Sequence, residues 1–133
     1  MATFGNAFCY DKNMSAFISL AELKEGGGST NYPKSLTEMY EVKEFIGRAG
    51  KAKSSELRVG HVSLKAGADY PAHSHPAAEV YVQISGKVEW SVGRETKLVK
   101  TLTAINISPG TSHAMKNVGE DEAQLIYFWY APH

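Results

Sequence analysis

The sequence predicts an all-β domain, a small sandwich or barrel. Three observations point there. From residue 38 onward short segments follow one another at roughly ten-residue spacing: 38–47, 57–65, 70–75, 78–85, 87–93, 97–107, 113–117 and 123–130. Each is ended by Gly, Pro, Asn or Ser, and Val, Ile, Thr and aromatic residues dominate them. Val59 to Leu64 and Val80 to Ile84 alternate with period two, which puts one face inward and the other outward.

The chain of 133 residues suits one domain. Gly26, Gly27 and Gly28 with Ser29 and Thr30 form a flexible-looking stretch, so we expect residues 1–35 as an N-terminal arm with a Gly-rich linker and 36–133 as the barrel. Within the arm, Met14 to Glu25 reads as either an extended segment or a short helix. Ser15 would cap that helix, and Phe17, Leu20 and Leu23 would share its stripe. The turns Ser85-Gly86-Lys87 and Ser91-Val92-Gly93-Arg94 read as hairpin connections, making 78–100 a meander in which each strand pairs with the next.

Composition narrows the function classes. Fourteen Lys plus Arg balance fourteen Asp plus Glu, so no overall field draws the chain to nucleic acid or an anionic membrane, and a small ligand held inside is the expected partner. Cys9 is the single cysteine, which rules out an internal disulfide. The apolar residues of the first seventeen positions are interrupted by Asp11, Lys12 and Asn13, unlike a signal peptide, and no run has membrane-spanning length. A cytoplasmic protein is the expectation.

The chemistry concentrates between Gly67 and Tyr81. His73 and His75 lie two apart, so on a strand both imidazoles point to one face. Pro76 cannot donate to a ladder, so the chain should bend there, and the next strand carries Glu79 and Tyr81 on one face. Two imidazoles and a carboxylate from adjacent strands suit a divalent metal with open positions. His113, following the Pro109-Gly110 turn, completes the set; His133 is the last residue and His61 sits mid-strand. The expected cofactor is one divalent ion, and Fe, Mn, Zn and Ni all suit this donor set. With Glu79, Tyr81 and Gln83 facing inward, Val80, Val82 and Ile84 form an outward apolar row that needs cover from the N-terminal segment or a second subunit, and we expect a homodimer.

These residues resemble the two motifs of the cupins. The first motif reads Gly, five residues, His-x-His, three or four residues, Glu, six residues, Gly, and is met by Gly67, His73, His75, Glu79 and Gly86. Gly110, His113 and Asn117 meet the second motif. Ser108 stands at that motif's proline position, with Pro109 one residue late, and Leu102 stands where a glycine is expected. The resemblance covers about residues 38–130 and implies a single double-stranded β-helix, or jelly-roll, barrel.

Around the ligands, the run from Tyr70 to Tyr81, the run from Pro109 to Met115 and the aromatic last strand are similar to those of cupin-type dimethylsulfoniopropionate lyases. That resemblance implies cleavage to dimethyl sulfide and acrylate, with Tyr81 as base and Tyr70 as a second functional tyrosine. Tyr70 and Trp129 are then candidates to hold the sulfonium cation on aromatic faces, at about 0.5–2 kcal/mol per contact. Cupins carry many activities. Another metal-dependent cupin enzyme, an Fe(II) dioxygenase or a sugar isomerase, and a non-catalytic small-molecule-binding cupin stand as alternatives.

Overall fold

The computed structural model describes residues 15–28 and 32–131. A helical turn, α1 (Lys34–Thr37), leads into nine strands: β1 (Tyr40–Ile46), β2 (Leu57–Leu64), β3 (Asp69–His73), β4 (Ala78–Ser85), β5 (Val88–Val92), β6 (Glu95–Val99), β7 (Thr103–Ile107), β8 (His113–Asn117) and β9 (Ala123–Tyr130). They form two antiparallel sheets, one ordered β1-β2-β9-β4-β7 and the other β3-β8-β5-β6. The all-β jelly-roll expectation holds. Among the described residues no helix is long and apolar enough to cross a membrane.

Alternation sets the inward face. On β4, Glu79, Tyr81 and Gln83 are buried, while Ile84 at the outer end is 47% exposed. On β9, Ala123, Leu125 and Tyr127 point inward, while Phe128 is 42% exposed. Leu64, Val88, Ile107 and Leu125 close the core between the sheets. Two buried amides tie the sheets together with their hydrogen bonds made, as buried polar groups require. Gln83 donates to the carbonyls of Gly86 and Val99 and accepts from Trp90 Nε1 at 2.9 Å. Asn117 donates to the carbonyls of Leu64 and Asp121, each at 2.9 Å, which is the physical content of the asparagine in the second motif.

Three expectations are corrected. The stretch 78–100 is not a meander: β4 pairs with β7 and β9, and β5 pairs with β6 and β8. The Ser85-Gly86-Lys87 turn therefore crosses between sheets. Gly86, at φ +102°, packs so tightly on Ala123 that a Cβ would lie 2.6 Å from its Cβ, and the register of β4 against β9 slips just before it. The Ser91–Arg94 turn is a hairpin. The segment 97–107 is two strands, broken at residues 100–102, where Leu102 is exposed.

Within 15–25, only Leu20–Glu22 is helical, as a single 3-10 turn. Ser15 Oγ accepts from the Phe17 backbone N–H at 3.1 Å, and Phe17 is 87% exposed. So short a segment does not sustain a helix on its own. Met14 lies outside the described residues. Glu25 instead bridges to Lys43, and Gly26 N–H donates to Val42 C=O at 2.8 Å, laying the described arm along β1.

Candidate metal centre

The four residues with metal-ligand chemistry come from both sheets. His73 and His113 are cross-strand partners on β3 and β8 of the four-stranded sheet. Glu79 stands on β4 of the five-stranded sheet. His75 lies past the end of β3, in the segment joining the sheets, so the expectation of two histidines on one strand face is corrected. The bend at Pro76 brings it back toward Glu79 instead. One ring nitrogen from each of His73, His75 and His113 falls within 4.8 Å of the others, a group that can hold a metal ion.

The rings are oriented by backbone. His73 Nδ1 lies 3.1 Å from Pro71 C=O, His75 Nδ1 2.9 Å from Ala77 C=O, and His113 Nδ1 2.9 Å from Thr111 C=O. A carbonyl only accepts, so each Nδ1 carries the hydrogen and each neutral ring presents a lone pair at Nε2. This is how metal-binding imidazoles are commonly aimed.

Glu79 makes those lone pairs informative. Its Oε1 lies 3.2 Å from His75 Nε2 and 3.3 Å from His113 Nε2. His113 Nε2 is buried, and although it falls within ion-pair distance of Glu79, the approach lacks hydrogen-bond geometry. A lone pair facing a carboxylate oxygen repels it unless a proton or a cation lies between them. The donor set therefore fits a divalent cation on the chemistry of its own atoms. Burial opposes a charge on His113, but the adjacent Glu79 carboxylate and the Thr111 carbonyl together outweigh it and raise the pKa above the usual imidazole value. At His73 burial prevails and lowers it.

Three of the four, His73, His75 and Glu79, line a cavity of about 510 Å³ together with Tyr70, Tyr81 and Trp129. Tyr81 is buried two residues beyond Glu79, its ring 5.1 Å from Trp90 and 6.2 Å from Tyr127. Burial, then the negative charge of Glu79, push its phenol pKa up. Tyr70 has its ring centroid 5.2 Å from those of both Tyr32 and Tyr40 and 5.0 Å from His73, an aromatic corner beside the ligands. Burial first, and then its tyrosine neighbours, raise its pKa too. Trp129 faces inward, 6.2 Å from the His75 ring, with Arg58 lying over it at 5.3 Å.

The sequence reading missed a second polar cluster on this cavity wall. Glu44, only 1% exposed, accepts from Arg58 Nε at 2.9 Å, Tyr127 Oη at 2.5 Å and Ala49 N–H at 3.2 Å. The register explains the geometry. Glu44, Gly60, Tyr127 and Tyr81 are successive partners across β1, β2, β9 and β4. The Tyr127 ring lies across Gly60, where a Cβ would sit 2.5 Å from it, and so its hydroxyl reaches Glu44 on the strand beyond. An acid at the inward position of the Tyr40, Val42, Glu44 alternation was the available signal.

Comparison with known proteins agrees with this geometry. The family model described as Cupin domain matches residues 60–129, just over half of the chain. An uncharacterised protein of Streptomyces coelicolor is 29% identical over 76 residues, 57% of this chain and 72% of that protein. Among solved structures, the fold is similar to that of the dimethylsulfoniopropionate lyase DddQ from Ruegeria pomeroyi DSS-3, with TM-score 0.71 and 21% identity over 84% of this chain and 57% of the lyase. It is also similar to a sugar phosphate isomerase of the cupin superfamily from Silicibacter pomeroyi, with TM-score 0.72 and 16% identity over 87% of this chain and 76% of that one. Likeness at such identities concerns the fold.

Proposed function

The chain belongs to the cupin family, and from that premise we propose that it is a metal-dependent carbon–sulfur lyase. Its substrate in this reading is dimethylsulfoniopropionate or a close analogue, and its products are dimethyl sulfide and acrylate. The observation that carries the reading is the position of Tyr81. It shares a strand face with Glu79 and opens on the same cavity as His73, His75 and Tyr70.

His73, His75, Glu79 and His113 would hold one divalent ion. Bound there, the ion supplies a positive field that favours the Tyr81 phenolate and the charge developing beside the substrate carboxylate. Tyr81 takes the proton from the carbon next to the carboxylate. The electron pair left on that carbon forms the new carbon–carbon double bond, and the pair of the breaking carbon–sulfur bond leaves with sulfur. The Tyr70 corner, with Tyr32 and Tyr40, faces the sulfonium with aromatic rings. Trp129 closes the wall beside His75. Burial and Glu79 hold Tyr81 protonated on their own, so its service as a base depends on a cation.

The test uses purified protein loaded in turn with Fe(II), Mn(II), Zn(II) and Ni(II), incubated with dimethylsulfoniopropionate and assayed for dimethyl sulfide in the headspace. Gas is expected with at least one metal. Tyr81→Phe should lower its rate about 10²–10⁴-fold with metal content unchanged. No gas with any metal sinks the lyase reading, and a fully active Tyr81→Phe removes the tyrosine from the mechanism.

One observation favours a second reading. Arg48 and Arg58 line the cavity, which suits a more anionic substrate and another metal-dependent cupin activity such as sugar isomerisation. Turnover of a sugar phosphate without gas release from the sulfonium substrate would select it.

The assembly in either reading is a homodimer. The outward row of Val80, Val82 and Ile84, with Phe128 beside it on β9, offers an apolar patch for a second copy. Light scattering that returns the mass of a monomer at micromolar concentration would reject the dimer.

A further inference from the structure

We propose that Arg58 is a specificity-determining residue that anchors the carboxylate, or a similar small oxyanion, of the molecule filling the cavity. The inference rests on reading the cavity as the substrate site, and it does not depend on the lyase chemistry.

The register places Arg58 on the correct wall. Arg58, Trp129 and Glu79 are successive partners across β2, β9 and β4, so all three side chains share the inward face. Two strand spacings, about 10 Å of backbone, separate the arginine from the ligand glutamate. A short chain of a few carbon atoms spans such a gap once side-chain length is allowed for.

The guanidinium is already fixed before any ligand arrives. Its Nε and Nη2 lie 2.9 and 2.7 Å from Glu44 Oε2, and Nη2 also donates to Gly27 C=O at 2.6 Å. The plane rests against Trp129. Those contacts engage the Nε–H and Nη2. Among the described residues Nη1 has no partner, which leaves two N–H groups on an arginine that lines the cavity. A guanidinium held in this way loses little freedom on accepting an oxyanion.

Charge and shape agree on what the pocket takes. Arg48 also lines the cavity and adds a second positive group that has no ion-pair partner among the described residues. The opposite character belongs to the Tyr32, Tyr40 and Tyr70 corner, which offers aromatic faces and hydroxyls. The preferred occupant has an anionic group at one end and an apolar or cationic group at the other.

The experiment compares the binding of propionate and propionamide, equal in size and different in charge, by titration calorimetry at matched and measured metal content. Wild type should bind propionate at least about tenfold tighter than propionamide. Changing Arg58 alone to a neutral residue strands the buried Glu44, so the decisive variant is the double change Glu44→Gln with Arg58→Gln, which keeps a neutral hydrogen-bonding pair. It should lose about tenfold or more for propionate and leave propionamide unchanged. Arg58→Lys keeps the charge toward Glu44 but removes the fork, and should show a loss of the same direction if the double variant fails to fold.

Equal propionate affinity in wild type and in a folded variant overturns the proposal. So does a wild type that does not prefer the carboxylate to the amide. Dimethyl sulfide is not measured in this experiment, so a protein that releases no gas and yet loses propionate with Arg58 refutes the lyase reading and upholds this one.

Discussion

Two carboxylates are buried in this barrel, Glu79 on the cavity and Glu44 behind its Arg58 and Tyr127 wall, and they are kept in opposite ways. Glu44 has donors on both oxygens: a guanidinium, a tyrosine hydroxyl and a backbone N–H converge on it. Glu79 faces two imidazole nitrogens, which present lone pairs to it when the rings are neutral and carry their hydrogens at Nδ1. The first arrangement is complete as it stands and clamps β1, β2 and β9 to the Gly27 segment. The second becomes favourable only when a cation joins it. Burial alone therefore does not mark a functional acid. What marks it is burial with the partner set one positive charge short.

The contrast can be broken by removing each acid in turn. The largest effect is expected at Glu44→Ala, which leaves the Arg58 charge and the Tyr127 hydroxyl unpaired. Loss of one partner of a buried pair costs about 3–5 kcal/mol. Urea denaturation should show that loss, and a loss below about 1 kcal/mol would mean that Arg58 simply turns to solvent.

Glu79→Gln should do the reverse. Metal affinity falls by at least about 10–100-fold, while the stability of the metal-free protein changes several-fold less than in Glu44→Ala. Elemental analysis after dialysis, paired with the same denaturation series, checks both halves. Chelation sharpens the point: wild type at a free metal concentration 100 times its Kd should lose about 2.7 kcal/mol on metal removal, and Glu79→Gln should lose much less. Equal losses in both proteins would show that the glutamate is not a ligand.

How much of this was legible in the sequence follows from distance along the chain. His73, His75 and Glu79 lie within seven residues, where strand period and a proline bend govern which way they point. The glycines of the two motifs, Gly67, Gly86 and Gly110, all take positive φ, which is why their positions are readable. Glu44, Arg58 and Tyr127 meet only because β1, β2 and β9 are neighbours in one particular register. No local pattern encodes that register, and a strand glutamate or arginine is ordinarily solvent-facing. The same reason explains the misread turn at Ser85–Lys87. A glycine turn between two short strands reads as a hairpin until the partners of each strand are known.

The placement of the ligands across the seam has a kinetic consequence. His73 and His113 ride on one sheet and Glu79 on the other, so neither sheet alone contains the set. A folding intermediate with one sheet formed and the sandwich still open offers no complete coordination sphere. An ion held as proposed would therefore complete its coordination only after the two sheets have closed. Interactions formed that late act on the rate of unfolding rather than on the rate of folding. An ion bound there would thus slow unfolding and leave the folding rate unchanged.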